Sequence, residues 1–175
     1  FERVTQAMRL ARELAPDFGL FMNTVVCRDN VETLPETAAL ASELGVQLLI
    51  VSNTTPEGAG FDRYHDLAVP LETLARVLPQ VPEAAAPAIV RFFSVPMCIL
   101  GEHSMLSNDL HWDPRVTVEW QSAPGKVAFT GIYSWAPDRR RVYPDVCGGC
   151  SRRTVCMGVF DQYAEQFSVE TLRAL

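Results

Sequence analysis

The sequence predicts an α/β protein: half of an α/β barrel or doubly wound parallel sheet over residues 1–95, then a small metal-organised appendage over residues 96–175. Three observations carry this. Apolar runs of strand length alternate with segments of helical spacing at intervals of roughly 30 residues, the mark of βαβ units. Past Pro96 the alternation stops and an antiparallel pair follows. Three of the five cysteines then fall within ten residues, between Cys147 and Cys156.

The elements follow in order. Val4, Met8, Leu10, Ala11 and Leu14 recur at helical spacing, and Pro16 stops that pattern. The run "FGLFMNTVVC" (Phe18 to Cys27) is nearly continuously apolar and β-branched, as expected of a strand buried on both faces, with Cys27 used as core packing. A second helix is expected over "NVETLPETAALASELG", with Asn30 as N-cap, Pro35 in the first turn and Gly45 at the stop. "VQLLIVS" (Val46 to Ser52) is the next strand, "NTTPEGAGFD" a loop, and about Pro70 to Leu78 a third helix. "PQVPEAAAP" reads as a short helix or connector before a third strand, Ala88 to Pro96. "MCILGEHSMLSNDLHWDP" is expected to be irregular, "VTVEW" and "KVAFTGIYS" to pair across "QSAPG", and "MGVFDQYAEQF" to form a short amphipathic helix.

Composition narrows the function classes. A chain 48% apolar and 21% charged is that of a globular protein, and a net charge of -6 disfavours non-specific binding to a phosphate backbone. No segment reaches the roughly 18 uncharged apolar residues of a spanning helix, and no basic start followed by an apolar block marks a signal peptide. The expected compartment is cytoplasmic, with neither membrane nor nucleic acid as partner. The chain opens directly on helical spacing without an initiator Met, which suggests part of a longer protein.

Five unevenly placed cysteines do not resemble a secreted disulfide framework, so reduced thiols serving as metal ligands fit better. Cys147-x2-Cys150-x5-Cys156 offers three thiolates, and the Gly148-Gly149 pair is expected to let the backbone turn so that two sulfurs face one centre. Cys98, 49 residues before Cys147, is the natural fourth donor, with His103 or His111 as substitutes. Five arginines (Arg139, Arg140, Arg141, Arg152, Arg153) flank the cluster; Arg152 and Arg153 could tune an anionic site, while the run from Arg139 could equally be a solvated face. A CxxC half-site does not by itself separate iron–sulfur from structural zinc, and free thiols or a dithiol redox pair are the weaker alternatives.

Taken together these stretches resemble the C-terminal portion of a radical S-adenosylmethionine (radical SAM) enzyme, in the branch whose barrel is followed by a SPASM or twitch auxiliary-cluster domain. "FMNTVVCRDNVETLPETAALASELGV" looks like the fourth strand and helix of that family's partial (βα)6 TIM-like barrel, and "LLIVSNTTPEGAG" like its fifth strand and loop. "VRFFSVPMCILG" is similar to the sixth strand running into the first auxiliary cysteine, and "CGGCSRRTVCMGVFDQYAEQF" to the CxxCxxxxxC motif with its trailing glycine and closing helix.

The resemblance implies an auxiliary [4Fe-4S] cluster on Cys98, Cys147, Cys150 and Cys156, and S-adenosylmethionine contacts at Asn23, Ser52 and Asn53. It implies a peptide or small-molecule substrate and a reductant such as flavodoxin or ferredoxin. Two departures qualify it. The CxxxCxxC motif for the cofactor-cleaving [4Fe-4S] cluster is absent, so the fragment alone is expected to be inactive and to need the missing N-terminal half of the barrel. Phe160 stands where the full SPASM pattern has a further cysteine, which implies one auxiliary cluster, as in a twitch domain. The rival expectation is a non-catalytic zinc-stabilised α/β binding module.

Overall fold

The computed structural model describes residues 1–111 and 140–175 and, between them, the backbone of the strands at 116–123 and 126–133. The elements are α1 (Glu2–Leu14), β1 (Phe21–Val26), α2 (Leu34–Glu43), β2 (Leu48–Asn53), α3 (Ala59–Asp62), α4 (Tyr64–Leu67), α5 (Leu71–Val77), α6 (Val81–Ala84), β3 (Ile89–Phe93), α7 (Met97–Leu100), β4 (Val116–Ala123), β5 (Lys126–Tyr133), β6 (Arg141–Val142), β7 (Val159–Phe160) and α8 (Asp161–Gln166). The chain is therefore a mixed α/β protein.

β1, β2 and β3 form a parallel sheet in sequence order, with Phe21 opposite Leu48 and Leu48 opposite Ile89. Parallel strands need a crossover, and the helices between them supply it. Because side chains alternate along each strand, Met22, Thr24, Val26, Leu49, Val51, Asn53, Val90 and Phe92 share one face. Leu34, Ala38 and Ala41 of α2, Leu71, Leu74 and Val77 of α5, and Val81 of α6 join that face in one core. Leu49, Val51 and Phe92 are fully buried in it.

The opposite face is only partly covered: Ser52 on it is buried, while apolar residues of its two edge strands stand open. Phe21 is 67% exposed, Val25 53% and Ile89 56%, a large apolar surface for residues of this type. This corrects the expectation of a first strand buried on both faces: β1 alternates exposed with half-buried positions. A continuous apolar run has no periodicity to say which face is covered. Cys27 is likewise not mid-strand core packing; it lies just past β1, half-buried.

Other local expectations hold or shift for identifiable reasons. Gly45 ends α2 with φ +70, a conformation that side-chain-bearing residues rarely adopt. Asn30 does not cap the helix. Its Oδ1 accepts the Cys27 N–H at 2.8 Å and its Nδ2 donates to the Val25 carbonyl at 2.8 Å, so it closes the turn behind it. The loop expected after β2 ends in α3, with α4 just beyond it, and the stretch expected to be irregular after Pro96 winds into α7 and two 3-10 turns, 101–106 and 108–110.

The expected antiparallel pair is present as β4 and β5, Val116 facing Tyr133. Its turn residues 124 and 125, together with Ser134 and Arg139, lie outside the described residues. The tail adds a second antiparallel ladder, β6 with β7, and α8. Val159, Phe160, Tyr163 and Leu172 belong to the same core as the parallel sheet. The Leu71 N–H donates to the Tyr163 hydroxyl at 2.8 Å, pinning α8 to the start of α5.

Candidate metal centre

Cys98 is delivered from the sheet. β3 ends at Phe93, Ser94 turns the chain at φ +60, and Pro96 opens α7, in which Met97 to Leu100 are all buried. The three tail cysteines come from a different ladder. β6 leads through Pro144 into a 3-10 turn, Asp145–Gly149, that carries Cys147; Cys150 follows it, and Cys156 precedes Gly158 and β7.

All four thiols border one cleft of about 370 Å³, part of it open to solvent. They are close enough for charge on one to act on another. Cys150 and Cys156 each oppose ionisation of Cys98, and Cys98, Cys150 and Cys156 oppose that of Cys147. His103 and His111 do not border this cleft, so neither replaces Cys98. No three His, Cys, Asp or Glu side chains among the described residues are grouped tightly enough to hold a metal ion. The four thiols thus border one cleft without forming a closed single-ion cage.

The rim carries donors to sulfur. The backbone N–H of Gly158 lies 3.5 Å from Cys156 Sγ and that of Leu175 3.5 Å from Cys150 Sγ, while the Arg173 amide favours the Cys98 thiolate against its burial. Arg152, Arg153 and Arg173 line the same space. The thiols separate accordingly. Burial pushes the Cys98 and Cys147 thiols up from the ordinary value, with neighbouring sulfurs adding to it. Hydrogen bonds from the Leu175 and Arg152 amides hold Cys150 below it, with the Arg152 charge assisting.

A pH series of iodoacetamide labelling on the metal-free reduced protein should show that ordering. Labelling requires the thiolate, so Cys150 reacts first as pH rises and Cys98 and Cys147 need higher pH. If Cys98 labelled at lower pH than Cys150, this account of the cleft would be wrong.

The glycine pair does not act as expected. Neither Gly148 nor Gly149 has positive φ, and a Cβ on either would meet nothing within 4 Å. The glycine the site requires is Gly158, at φ +71, where a Cβ would come 2.5 Å from the Val142 carbonyl oxygen. Its only sequence cue was its place as the glycine trailing the cysteine motif, two residues after Cys156.

Sequence reasoning also missed Arg141. Rather than belonging to a solvated face, its guanidinium lies 3.5 Å over the Phe160 ring and donates to Ser94 Oγ at 2.8 Å. Burial pulls its pKa down to about 10 while Asp109 opposes that shift, so it remains a cation at neutral pH. Arg153 lies over the Tyr143 ring at 5.2 Å, and the Tyr143 hydroxyl donates to the Cys156 carbonyl at 2.9 Å. These contacts fix the two arms of the cysteine loop to each other.

The three residues expected to contact a cofactor divide. Asn23 and Ser52 lie on the opposite face of the sheet, Asn23 exposed and Ser52 buried, and Ser52 Oγ donates to Asn23 Oδ1 at 2.9 Å. Asn53 lies on the covered face, its Nδ2 donating to the Ser94 carbonyl at 3.3 Å, so its side chain is committed within the fold. No helix among the described residues is long and apolar enough to cross a membrane. No family model, curated protein or solved structure matches the chain.

Proposed function

We propose that this chain is the C-terminal part of a radical SAM enzyme, in which Cys98, Cys147, Cys150 and Cys156 hold an auxiliary [4Fe-4S] cluster and the partly exposed sheet face is the inner wall of a partial barrel. One observation carries the reading. A cysteine leaving the end of β3 borders the same cleft as three cysteines of a CxxCxxxxxC tail. The donor set fits the group: four thiols, two amides directed at sulfur and arginine charge at the rim suit an anionic cluster.

When bound, such a cluster supplies one-electron storage within reach of the barrel. The chain's own residues do the rest. Cys98 ties the tail to the strand ends, the amides of Leu175 and Gly158 approach the sulfurs of Cys150 and Cys156, and Asn23, exposed and bonded to the buried Ser52, offers a polar group on that sheet face. That pair is the proposed contact for S-adenosylmethionine. Asn53 would contribute through its backbone.

Sequential parallel strands with a helix-packed core on one face and exposed apolar residues at Phe21, Val25 and Ile89 on the other suit an arc of barrel, the remaining strands and the cofactor-cleaving cluster coming from the N-terminal half. Substrate, a peptide or small molecule, and a reductant such as flavodoxin or ferredoxin would meet the complete protein in the cytoplasm. The chain by itself is inactive on this reading.

Anaerobic reconstitution with iron and sulfide tests it. The expected product is a brown species with broad sulfur-to-iron charge-transfer absorption, lost when Cys147 and Cys150 are both changed to Ala. Stoichiometric zinc uptake with no iron uptake would replace the reading with that of a zinc-stabilised binding module.

A further inference from the structure

Ser94 has positive φ although it is not glycine, a conformation that costs about 1–2 kcal/mol and persists only where the surroundings enforce it. Here all three of its polar groups are engaged. Its N–H donates to Asp109 Oδ1 at 3.3 Å, its carbonyl accepts from Asn53 Nδ2 at 3.3 Å, and its Oγ accepts from Arg141 at 2.8 Å. The first two partners belong to the sheet and the turns that follow it. Arg141 belongs to the tail.

That difference connects the four cysteines. Ser94 lies four residues before Cys98. Arg141 opens β6, the arm leading to Cys147 and Cys150, and it stacks on its register partner Phe160 in β7, the arm leaving Cys156. Arg141 therefore joins all three segments that carry the thiols, lying in one and touching the other two with its guanidinium. We propose that Arg141 is a positioning residue that locks Ser94 in its left-handed turn and so holds Cys98 at the cleft shared with Cys147, Cys150 and Cys156. The functional weight of this rests on Cys98 being the fourth donor at that cleft, while the geometry it claims is independent of any metal.

The test uses the 175-residue chain in its reduced, metal-free form, with iodoacetamide labelling of each cysteine followed by mass spectrometry. Arg141→Gln and Ser94→Ala should each raise the Cys98 labelling rate by about tenfold, because release of the turn exposes a buried thiol through local opening, with Cys27 unchanged. Arg141→Lys can still donate one hydrogen bond and lie over the Phe160 ring, so it should return Cys98 to within about threefold of the parent rate. A general loss of packing would not be rescued in this way.

Cys98 rates within about twofold of the parent in both Arg141→Gln and Ser94→Ala overturn the proposal. If Arg141→Gln unfolds, shown by an equal rise at Cys27, the Lys variant decides: labelling of Cys98 as fast as of Cys27 also overturns it. Failure of the parent chain to take up iron would count against the cluster and leave this outcome unaffected.

Discussion

Replacing Gly158 by alanine should destabilise the protein by about 2–4 kcal/mol and disorganise the cysteine cleft. The residue sits at φ +71, and the added Cβ would stand 2.5 Å from the Val142 carbonyl oxygen and 3.2 Å from the Tyr143 ring. Neither neighbour can yield cheaply. Val142 is paired with Val159 in a ladder only two residues long, and Tyr143 is held by its bond to the Cys156 carbonyl and by Arg153 over its ring. Relief therefore requires opening the ladder that spaces Cys156 from Cys147. Urea unfolding measures the cost. Gly148→Ala and Gly149→Ala are the matched controls, expected to stay within about 1 kcal/mol of the parent because their Cβ atoms enter open space. A Gly158→Ala protein as stable as the Gly148→Ala protein would remove the structural argument for this position.

The second large effect is expected at Cys98. Changing it to Ala should lower the iron- and sulfide-loaded fraction after anaerobic reconstitution by at least about tenfold, since a ligand matters more than the outer partners whose loss costs 10–100-fold. It should also remove the rise in thermal midpoint that loading gives the parent, because binding energy reaches the fold only through ligands on both parts of the chain. Cys98 is the one donor from the sheet side and is 9% exposed, so no solvent-borne thiol substitutes for it readily. Cys27→Ala is the control. It lies beyond β1 and outside the cleft, and should load as the parent does. Equal loading of the Cys98→Ala and parent proteins would mean that the cleft holds its group with the tail cysteines alone.

Legibility in the sequence followed the range of the interaction. Pro16 and Gly45 as helix stops, the three strands, the strand pair ahead of the arginines and the cysteine spacing are all present as expected, because each depends on neighbours within a few positions. Asn30 misled because an Asn side chain serves a turn as well as a cap, and the choice depends on which backbone groups the turn leaves unpaired. β6 and β7 are too short to show any periodicity, so the ladder that builds the cleft was invisible, and with it the role of Gly158.

Residue order and type alone determined that this is a strand–helix alternation followed by a thiol-bearing tail, and that four cysteines were available as donors. The tertiary path decided the rest: which face of the sheet stays partly open, that Asn53 turns away from Asn23 and Ser52, and that Arg141 is packed inside rather than solvated. The reason is separation along the chain. Ser94 meets Arg141 across 47 residues, and Cys98 reaches the cleft of a loop that starts still later. No local propensity encodes such encounters, and only burying the tail's Val159, Phe160 and Tyr163 against the sheet's own core brings them about.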